Sequence, residues 1–193
     1  MVTVCAEVFA SAVPTETPQG VAALVRVRSY GFDDALSLEP ALVVISVGLQ
    51  DPGNLGTIVR SAEAFGATGV LLGERTVSQW NWKAIRASAG SVFRLPIAIA
   101  KGAGGSLEDM LPKLRGKNLR LIATSSHKGK ALGEANLADP LAFFVGAEGT
   151  GLPRDLLSKM DEVVVIPHTP QVESLNAGVA ASILLYEAAR QRQ

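Results

Sequence analysis

The 193 residues include 18 Lys and Arg, 18 Asp and Glu, and 48% hydrophobic residues, so the formal net charge is zero. This apolar fraction is too high for a disordered chain, and the length suits one soluble domain of ordinary size. A single cysteine, Cys5, excludes an internal disulfide, a four-thiolate zinc site and a redox pair, and it favours a reducing cytoplasmic compartment. No segment reaches the ~18 apolar residues of a membrane span, and no basic signal-peptide start is present, so no membrane association is expected.

Short apolar runs alternate with amphipathic segments along the chain. The predicted strands, rich in Val, Ile, Leu and Phe, are Leu42–Val47, Gly69–Leu72, Phe93–Ala98, Leu119–Thr124, Leu141–Val145 and Glu162–Ile166. The predicted helices are Asn54–Phe65, Lys83–Ala89, Ser106–Leu114, Arg154–Lys159 and Leu175–Arg190. This order predicts an α/β fold with a mostly parallel sheet and helices on both faces. Residues 1–40 have weak periodicity and several prolines, which indicates an extension or a domain junction.

The zero net charge hides an uneven distribution. Residues 75–130 carry eleven lysines and arginines against only Glu108 and Asp109, an excess of nine positive charges. The rest of the chain carries the opposite excess. Two interpretations stay open: the cations are scattered over solvated helix faces, or they form one basic surface that binds a polyanion.

The sequence lacks the signatures of several common kinds of functional site. The chain has no G-x-G-x-x-G and no P-loop, which argues against a Rossmann dinucleotide site and against a nucleotide triphosphatase. His127 and His168 have no paired carboxylates at ligand spacing, so we expect no catalytic metal. Cys5 is far from both histidines in sequence, which argues against thiolate catalysis.

Three loops that follow predicted strands combine glycines with polar side chains, and strand-end loops are where open α/β sheets bind ligands. In the first loop, residues 50–60, Pro52 and Gly53 end the strand, Asn54 is a good helix N-cap, and Arg60 lies about a turn and a half into the helix. Taken alone, this loop is equally a plain strand-to-helix turn with Arg60 on the surface.

The other two loops are residues 145–153 and 166–180. The former places three glycines around Glu148, which lets the backbone approach a flat ligand closely while one carboxylate is fixed; the same residues would also make a tight turn. The latter carries Ser174 and Asn176 at the start of a small-residue helix. Ser174 is explained as a simple N-cap, whereas Asn176 inside the first helical turn is not, because Asn favours caps over interiors.

In this order the three loops resemble the three motifs of the SpoU/TrmH-type RNA ribose 2′-O-methyltransferases of the SPOUT class, over roughly residues 40–193. The resemblance implies a catalytic domain over 41–193, a C-terminal trefoil knot that builds an S-adenosylmethionine site, and a homodimer. The motif residues fall on Asn54, Arg60, Glu148, Ser174 and Asn176, all of which are present. The implied cofactor-binding positions are Thr124, Ser125, Gly146, Gly149, Ile166 and Leu175.

The implied reaction is methyl transfer from S-adenosylmethionine to a ribose 2′-hydroxyl of tRNA or rRNA, with no metal. Arginine stays protonated at neutral pH, so we expect Arg60 to act as an electrostatic organiser rather than as a base. Asn54 and Glu148 are expected to hold Arg60 and the ribose. Ser174 and Asn176 are expected to shape the mouth of the site.

The chain departs from the family pattern at Gly178, where many relatives carry Ser. Residues 17–21 resemble the stretch at which longer relatives pass from an N-terminal RNA-recognition domain into the catalytic domain, which implies that such a domain is missing here. Two other functions stay open: a non-catalytic RNA-binding protein on the same scaffold, and an unrelated α/β enzyme that binds a nucleotide-like metabolite.

Overall fold

The computed structural model describes residues 1–15, 17–100 and 106–193. Within them, seven parallel strands form one sheet in the order β3-β2-β1-β6-β4-β7-β5. The strands are β1 Leu42–Ser46, β2 Gly69–Leu72, β3 Ile97–Ile99, β4 Arg120–Ser125, β5 Lys130–Ala131, β6 Leu141–Val145 and β7 Glu162–Val165. The α-helices are α1 Ala6–Ala12, α2 Pro52–Ala64, α3 Trp82–Ala87, α4 Leu111–Gly116, α5 Arg154–Leu157 and α6 Ala177–Gln191. The predicted α/β class is confirmed.

Side chains of the central strands alternate between two cores, one on each face of the sheet. On β1, Leu42 and Val44 pack with α2, α3 and α6. Val43 and Ile45 pack instead with α4, α5 and a 3₁₀ helix at Asp33–Leu36. All residues of β1 and β6 are buried, which explains why their sequences are continuous apolar runs rather than alternating patterns. The prediction of helices on both faces is therefore confirmed.

Some predicted bounds are wrong. Phe93 does not belong to a strand, because Gly90 adopts a left-handed conformation with φ 87° and starts a 3₁₀ helix at Ser91–Phe93. β3 is consequently short. The predicted helix Ser106–Leu114 begins as a 3₁₀ turn at Glu108–Met110 and continues as α4. Helix α1 and strand β5 were not predicted; β5 has only two residues and no apolar run to signal it.

The sheet brings the ends of four strands to one edge. Ser46 lies opposite Val145, so the loops after β1 and β6 start side by side. Ser125 lies opposite Val165, so the loops after β4 and β7 do the same. Because β6 is also the neighbour of β4, all four loops emerge together at the carboxyl edge, where open parallel sheets bind ligands.

Helix α6 returns across the sheet and packs directly on α2. The hydroxyl oxygens of Ser61 and Ser182 lie 2.6 Å apart across this contact. A Cβ placed on Gly178 would lie 3.1 Å from both Cβ and Cγ2 of Thr57, closer than side chains normally approach. Many relatives in the resembled family carry Ser at the position of Gly178. The glycine here thus permits the close approach of α6 to α2. The trefoil knot implied by the resemblance stays a prediction.

The N-terminal residues contribute to the fold only in part. Helix α1 buries none of its residues. By contrast, the Thr68 hydroxyl donates a 2.7 Å hydrogen bond to the carbonyl of Ala35, which is fully buried against the sheet. The division at residues 40 and 41 stays a prediction. No helix in the described ranges is long and apolar enough to cross a membrane.

Arg192 bonds the C-terminal end of α6 to the amino ends of the strands, opposite the carboxyl edge. Its guanidinium donates to four backbone carbonyls, those of Leu137 (2.9 Å), Pro40 (3.0 Å), Ala41 (3.3 Å) and Asp139 (2.6 Å). Burial lowers the pKa of Arg192 from its ordinary value. This contact ties the C-terminal helix to the segments that start β1 and β6.

Candidate active site

Three polar side chains from three separate segments meet at the carboxyl edge: Asn54 from the first turn of α2, Glu148 from the loop after β6, and Asn176 from the N-cap of α6. Oε1 of Glu148 accepts hydrogen bonds from Asn54 Nδ2 and Asn176 Nδ2, both at 2.7 Å. Asn176 Nδ2 also donates to Asn54 Oδ1 at 2.8 Å, which closes the ring. Hydrogen bonds to an ionised carboxylate are the stronger kind, so this cluster holds the three loops in one arrangement.

Asn54 reaches the cluster because another residue caps its helix. Asp51 is the N-cap of α2, and its Oδ1 accepts the backbone N–H of Asn54 at 2.7 Å. Pro52 occupies the first turn, where its missing N–H costs nothing. The prediction that Asn54 is the N-cap is therefore wrong. Its buried side chain is left to bond with Glu148 and Asn176.

Asn176 has two roles. It is the N-cap of α6, with Oδ1 accepting from the backbone N–H of Val179 at 3.1 Å, while its Nδ2 donates to Glu148 and Asn54. The prediction that Asn176 lies inside the first helical turn, with Ser174 as the cap, is thus wrong. The backbone N–H of Ala177 also donates to Glu148 Oε1 at 3.2 Å, and a carboxylate at a helix N-terminus is electrostatically favoured.

Glycines shape the loop that presents Glu148. Gly149 and Gly151 adopt left-handed conformations, with φ of 80° and 65°. A Cβ on Gly146 would lie 2.3 Å from the carbonyl carbon of Gly151, so only glycine fits there. Gly151 N–H bonds to the carbonyl of Ala147 at 2.9 Å, which closes the turn. The tight-turn and ligand-approach interpretations of this loop are compatible, since the turn is what projects Glu148.

A cavity of about 410 Å³ lies beside the cluster. Its lining includes all six positions that the resemblance implies for the cofactor, together with Glu148 and Ser174; the six are Thr124, Ser125, Gly146, Gly149, Ile166 and Leu175. Small-molecule sites typically enclose ~300–1,000 Å³, so this space suits a nucleoside-sized ligand. Ser125 Oγ accepts the N–H groups of His127 and Lys128, both at 3.3 Å, and its own hydroxyl proton has no acceptor in the described ranges.

Three further apolar residues of this lining were not predicted. Leu152, Leu157 and Val164 line the cavity from the loop before α5, from α5 itself and from β7. Leu152 is the only one whose position next to the glycine loop could have signalled a role. His168 also lines the cavity, with its Nδ1 2.7 Å from the carbonyl of Ile166. The residues that the structure describes contain no group of three or more His, Cys, Asp or Glu that could hold a metal.

Arg60 lies apart from the cluster. It is exposed on α2, it does not line the cavity, and it has no hydrogen-bond or ion-pair partner within the described ranges. Within the described ranges Asn54 and Glu148 bond to Asn176 and make no hydrogen bond to Arg60. The role expected of Arg60 beside these two residues stays a prediction.

The basic segment 75–130 does not form one surface. Helix α3 packs in the core on one face of the sheet and α4 in the core on the other, so their cations are separated by the sheet. Several of the cations are neutralised by carboxylates: Arg94 pairs with Glu63, Arg115 with Asp161, Lys117 with Asp33, and Arg120 and Lys130 with Glu162. Lys101 lies outside the described residues.

Comparison with known proteins gives a consistent result. A Mycobacterium tuberculosis (strain H37Ra) protein described as an uncharacterized tRNA/rRNA methyltransferase is 42% identical over 180 residues, which cover 91% of this chain and 55% of the relative. The chain spans about half the length of the curated relatives it matches.

Solved structures agree with the fold. The AdoMet-bound rRNA methyltransferase from Sinorhizobium meliloti superposes with a TM-score of 0.88 at 29% identity, covering 98% of this chain and 71% of that one. A structure named RNA 2′-O ribose methyltransferase is 38% identical with a TM-score of 0.70, covering 91% of this chain and 62% of that one. The model of the SpoU rRNA Methylase family matches residues 41–186, which include the cluster and the cavity lining. The chain belongs to the SpoU rRNA Methylase family.

Proposed function

We propose that this chain is the catalytic part of an enzyme that transfers a methyl group from S-adenosylmethionine to a ribose 2′-hydroxyl of tRNA or rRNA. The observation that carries the proposal is the bonded cluster of Asn54, Glu148 and Asn176 beside a cavity of nucleoside size. The naming of a 38% identical protein as an RNA 2′-O ribose methyltransferase supports ribose as the target.

The cavity suits S-adenosylmethionine by its volume and its lining. Leu152 and Leu157 offer apolar walls for the flat purine, while the hydroxyls of Thr124 and Ser125 can bond to polar groups. When bound, S-adenosylmethionine supplies an electrophilic methyl group on a positively charged sulfur.

Within the proposal, Glu148 organises the loops around the substrate. All three of its hydrogen bonds go to Oε1, and Oε2 accepts none within the described ranges. Oε2 is therefore available to a ribose hydroxyl or to an ammonium group at the cavity edge. Because Asn54 and Asn176 fix the carboxylate beforehand, the substrate is positioned without the cost of ordering these side chains.

Arg60 acts electrostatically in the proposed reaction. Its guanidinium lies outside the cavity lining and has no partner within the described ranges, so it is open to an RNA phosphate. When the RNA brings the ribose to it, the guanidinium stabilises the negative charge that develops on the 2′-oxygen, and the proton leaves to the phosphate or to water. We also propose a homodimer. The large side chains of Val179 and Tyr186, 47% and 55% exposed on α6, support contact with a second copy.

The proposal is tested by transfer of a labelled methyl group from S-adenosylmethionine to total RNA. Replacing Arg60 by alanine should lower transfer by about 100-fold or more, since it removes charge stabilisation from the reaction, while the affinity for S-adenosylmethionine measured by calorimetry stays within about twofold. Lys113→Ala, which removes an exposed cation on α4 across the sheet, is the matched control and should retain full transfer. Unchanged transfer by the Arg60 variant would remove Arg60 from the reaction.

A further inference from the structure

Exposed aromatic rings and cations lie together around helix α3. The aromatic surface, as we call it, consists of Trp80, Trp82, Lys83, Arg86 and Phe93. The three rings are 37%, 38% and 44% exposed, respectively. The ring centroids of Trp80 and Phe93 are 6.2 Å apart, and the Arg86 guanidinium carbon and Lys83 Nζ lie 5.4 Å and 5.7 Å from the Trp82 ring centroid. Clustered apolar exposure of this kind marks interaction sites.

The charge of this surface is uncompensated. Residues 75–94 contain four cations and no Asp or Glu, and Lys83 and Arg86 form no ion pair in the part of the chain that the structure describes. Arg94, next to the surface, differs: it donates to both oxygens of Glu63 at 2.6 and 2.7 Å and holds the pKa of Glu63 below its ordinary value. A partner that neutralises Lys83 and Arg86 must therefore bring negative charge.

The aromatic surface is one helix away from the proposed active site. A Cβ on Gly56, two residues beyond Asn54, would lie 2.5 Å from Ala87 Cβ and 2.6 Å from the Ala84 carbonyl, so α2 and α3 are in backbone contact. A helix is about 10 Å across with its side chains. Nucleotides adjoining one bound at the cluster are thus within reach of Trp82 and its neighbours.

We propose that the aromatic surface binds unpaired bases of the RNA substrate, which stack on Trp80, Trp82 and Phe93 while Lys83 and Arg86 contact phosphates. This inference rests on the proposed function, in which RNA is the substrate. Single-stranded RNA combines the two features that the surface fits, since its bases offer flat faces and its backbone offers negative charge. A duplex stacks its bases internally and offers only the charge, so the surface favours unpaired RNA.

Tryptophan fluorescence reports on this surface alone, because the chain has two tryptophans and both belong to it. A short oligouridylate should quench the fluorescence of the native protein more strongly, and at lower concentration, than an RNA duplex of the same length. Trp82→Ala should weaken oligouridylate binding, measured by anisotropy of a labelled strand, by about 5- to 150-fold, the effect of losing one stacked base. Trp82→Phe should recover most of the affinity, and Lys113→Ala, across the sheet, should change it by less than about twofold.

Parallel methyl-transfer assays separate this inference from the proposed function. Suppose that the native protein methylates RNA and that Trp82→Ala has the same oligouridylate affinity and the same KM for RNA as the native protein. This result would overturn the inference and leave the proposed function in place. Quenching without any RNA methylation would support the aromatic surface and refute the function. Absence of quenching, or equal binding of strand and duplex, would overturn the inference. If Trp82→Ala changes the self-association of the protein in sedimentation but not its RNA affinity, the aromatic surface is an interface between copies. That result would also overturn the inference.

Discussion

Replacing Asn176 by alanine removes two interactions of one side chain. The first is the cap of α6, in which Oδ1 accepts the Val179 N–H at 3.1 Å. The second is the donation from Nδ2 to Glu148 and Asn54 at 2.7 and 2.8 Å. Glu148 keeps two donors, Asn54 Nδ2 and the Ala177 N–H, so its carboxylate does not become an unpaired charge.

The two losses can be estimated separately. Removal of an N-cap costs about 1 kcal/mol of the free energy of unfolding. Loss of the amide donor costs about 1–2 kcal/mol, because it bonds to a charged group that retains other donors. The total of about 2–3 kcal/mol corresponds to a melting temperature about 4–12 °C lower for a chain of this length. Asn176→Ser keeps an oxygen at the cap and should recover about 1 kcal/mol of that loss.

Urea unfolding followed by far-ultraviolet circular dichroism, at one fixed protein concentration, measures these free energies. Asn81→Ala is the matched control, since Asn81 caps α3 through Oδ1 with the Lys83 N–H at 3.0 Å and its side chain takes no part in the cluster. It should cost about 1 kcal/mol. A total cost below about 0.5 kcal/mol for Asn176→Ala, or equal costs for the alanine and serine variants, would refute the double role assigned to Asn176.

Three further predictions concern the glycine loop and the C-terminal end of α6. Gly146→Ala should weaken S-adenosylmethionine binding in calorimetry by about tenfold or more, because the added Cβ would meet the Gly151 and Leu152 backbone at 2.3–2.6 Å and displace the loop. Gly133→Ala is the control and should leave the affinity unchanged, since a Cβ there meets nothing within 4 Å. Equal affinities of the two variants would contradict the role assigned to Gly146. Arg192→Ala should lower the free energy of unfolding by about 3 kcal/mol, since four carbonyls lose a charged donor, and a loss below about 1 kcal/mol in urea unfolding would argue against that contact. Hydrogen bonds from Arg190 and Gln191 lower the pKa of Glu187 to about 2. The ionised carboxylate therefore stabilises the fold fully at a pH above the ordinary carboxyl pKa, and this stabilisation is lost as the pH falls towards 2. The stability difference between the native protein and Glu187→Gln should therefore shrink from pH 6 to pH 2 in urea unfolding; a difference independent of pH would refute it.

The sheet could be predicted from the sequence because its central strands are buried on both faces. Leu42–Ser46 and Leu141–Val145 are unbroken apolar runs, and such runs have few alternatives in a chain of this composition. The two-residue β5 has no such signal and is defined only by its pairing with β7. The conformation of residues 91–93 likewise depends on the left-handed turn at Gly90, which the apolar pattern of the segment conceals.

The candidate site could be predicted as three separate loops but not as a set of contacts. Asn54, Glu148 and Asn176 stood out as polar residues in strand-end loops, yet their mutual bonds span up to 122 residues of sequence. The two N-caps are ambiguous in the sequence for a local reason. Either Asn54 or Asp51 could cap α2, and either Ser174 or Asn176 could cap α6, so the choice depends on which residue leaves the helical conformation, as Asn176 does with ψ 137°.

The most direct test of the proposed activity is the chemical identity of the methylated nucleoside. The protein is incubated with isotopically labelled S-adenosylmethionine and total tRNA and rRNA, and the RNA is digested to nucleosides for mass spectrometry. We expect the label in a 2′-O-methylated nucleoside, with the methyl group on the ribose fragment, and at least about 100-fold less of it with Arg60→Ala. Label on the base fragment, or no labelled nucleoside from an RNA mixture that contains unmodified substrate, would contradict ribose 2′-O-methylation.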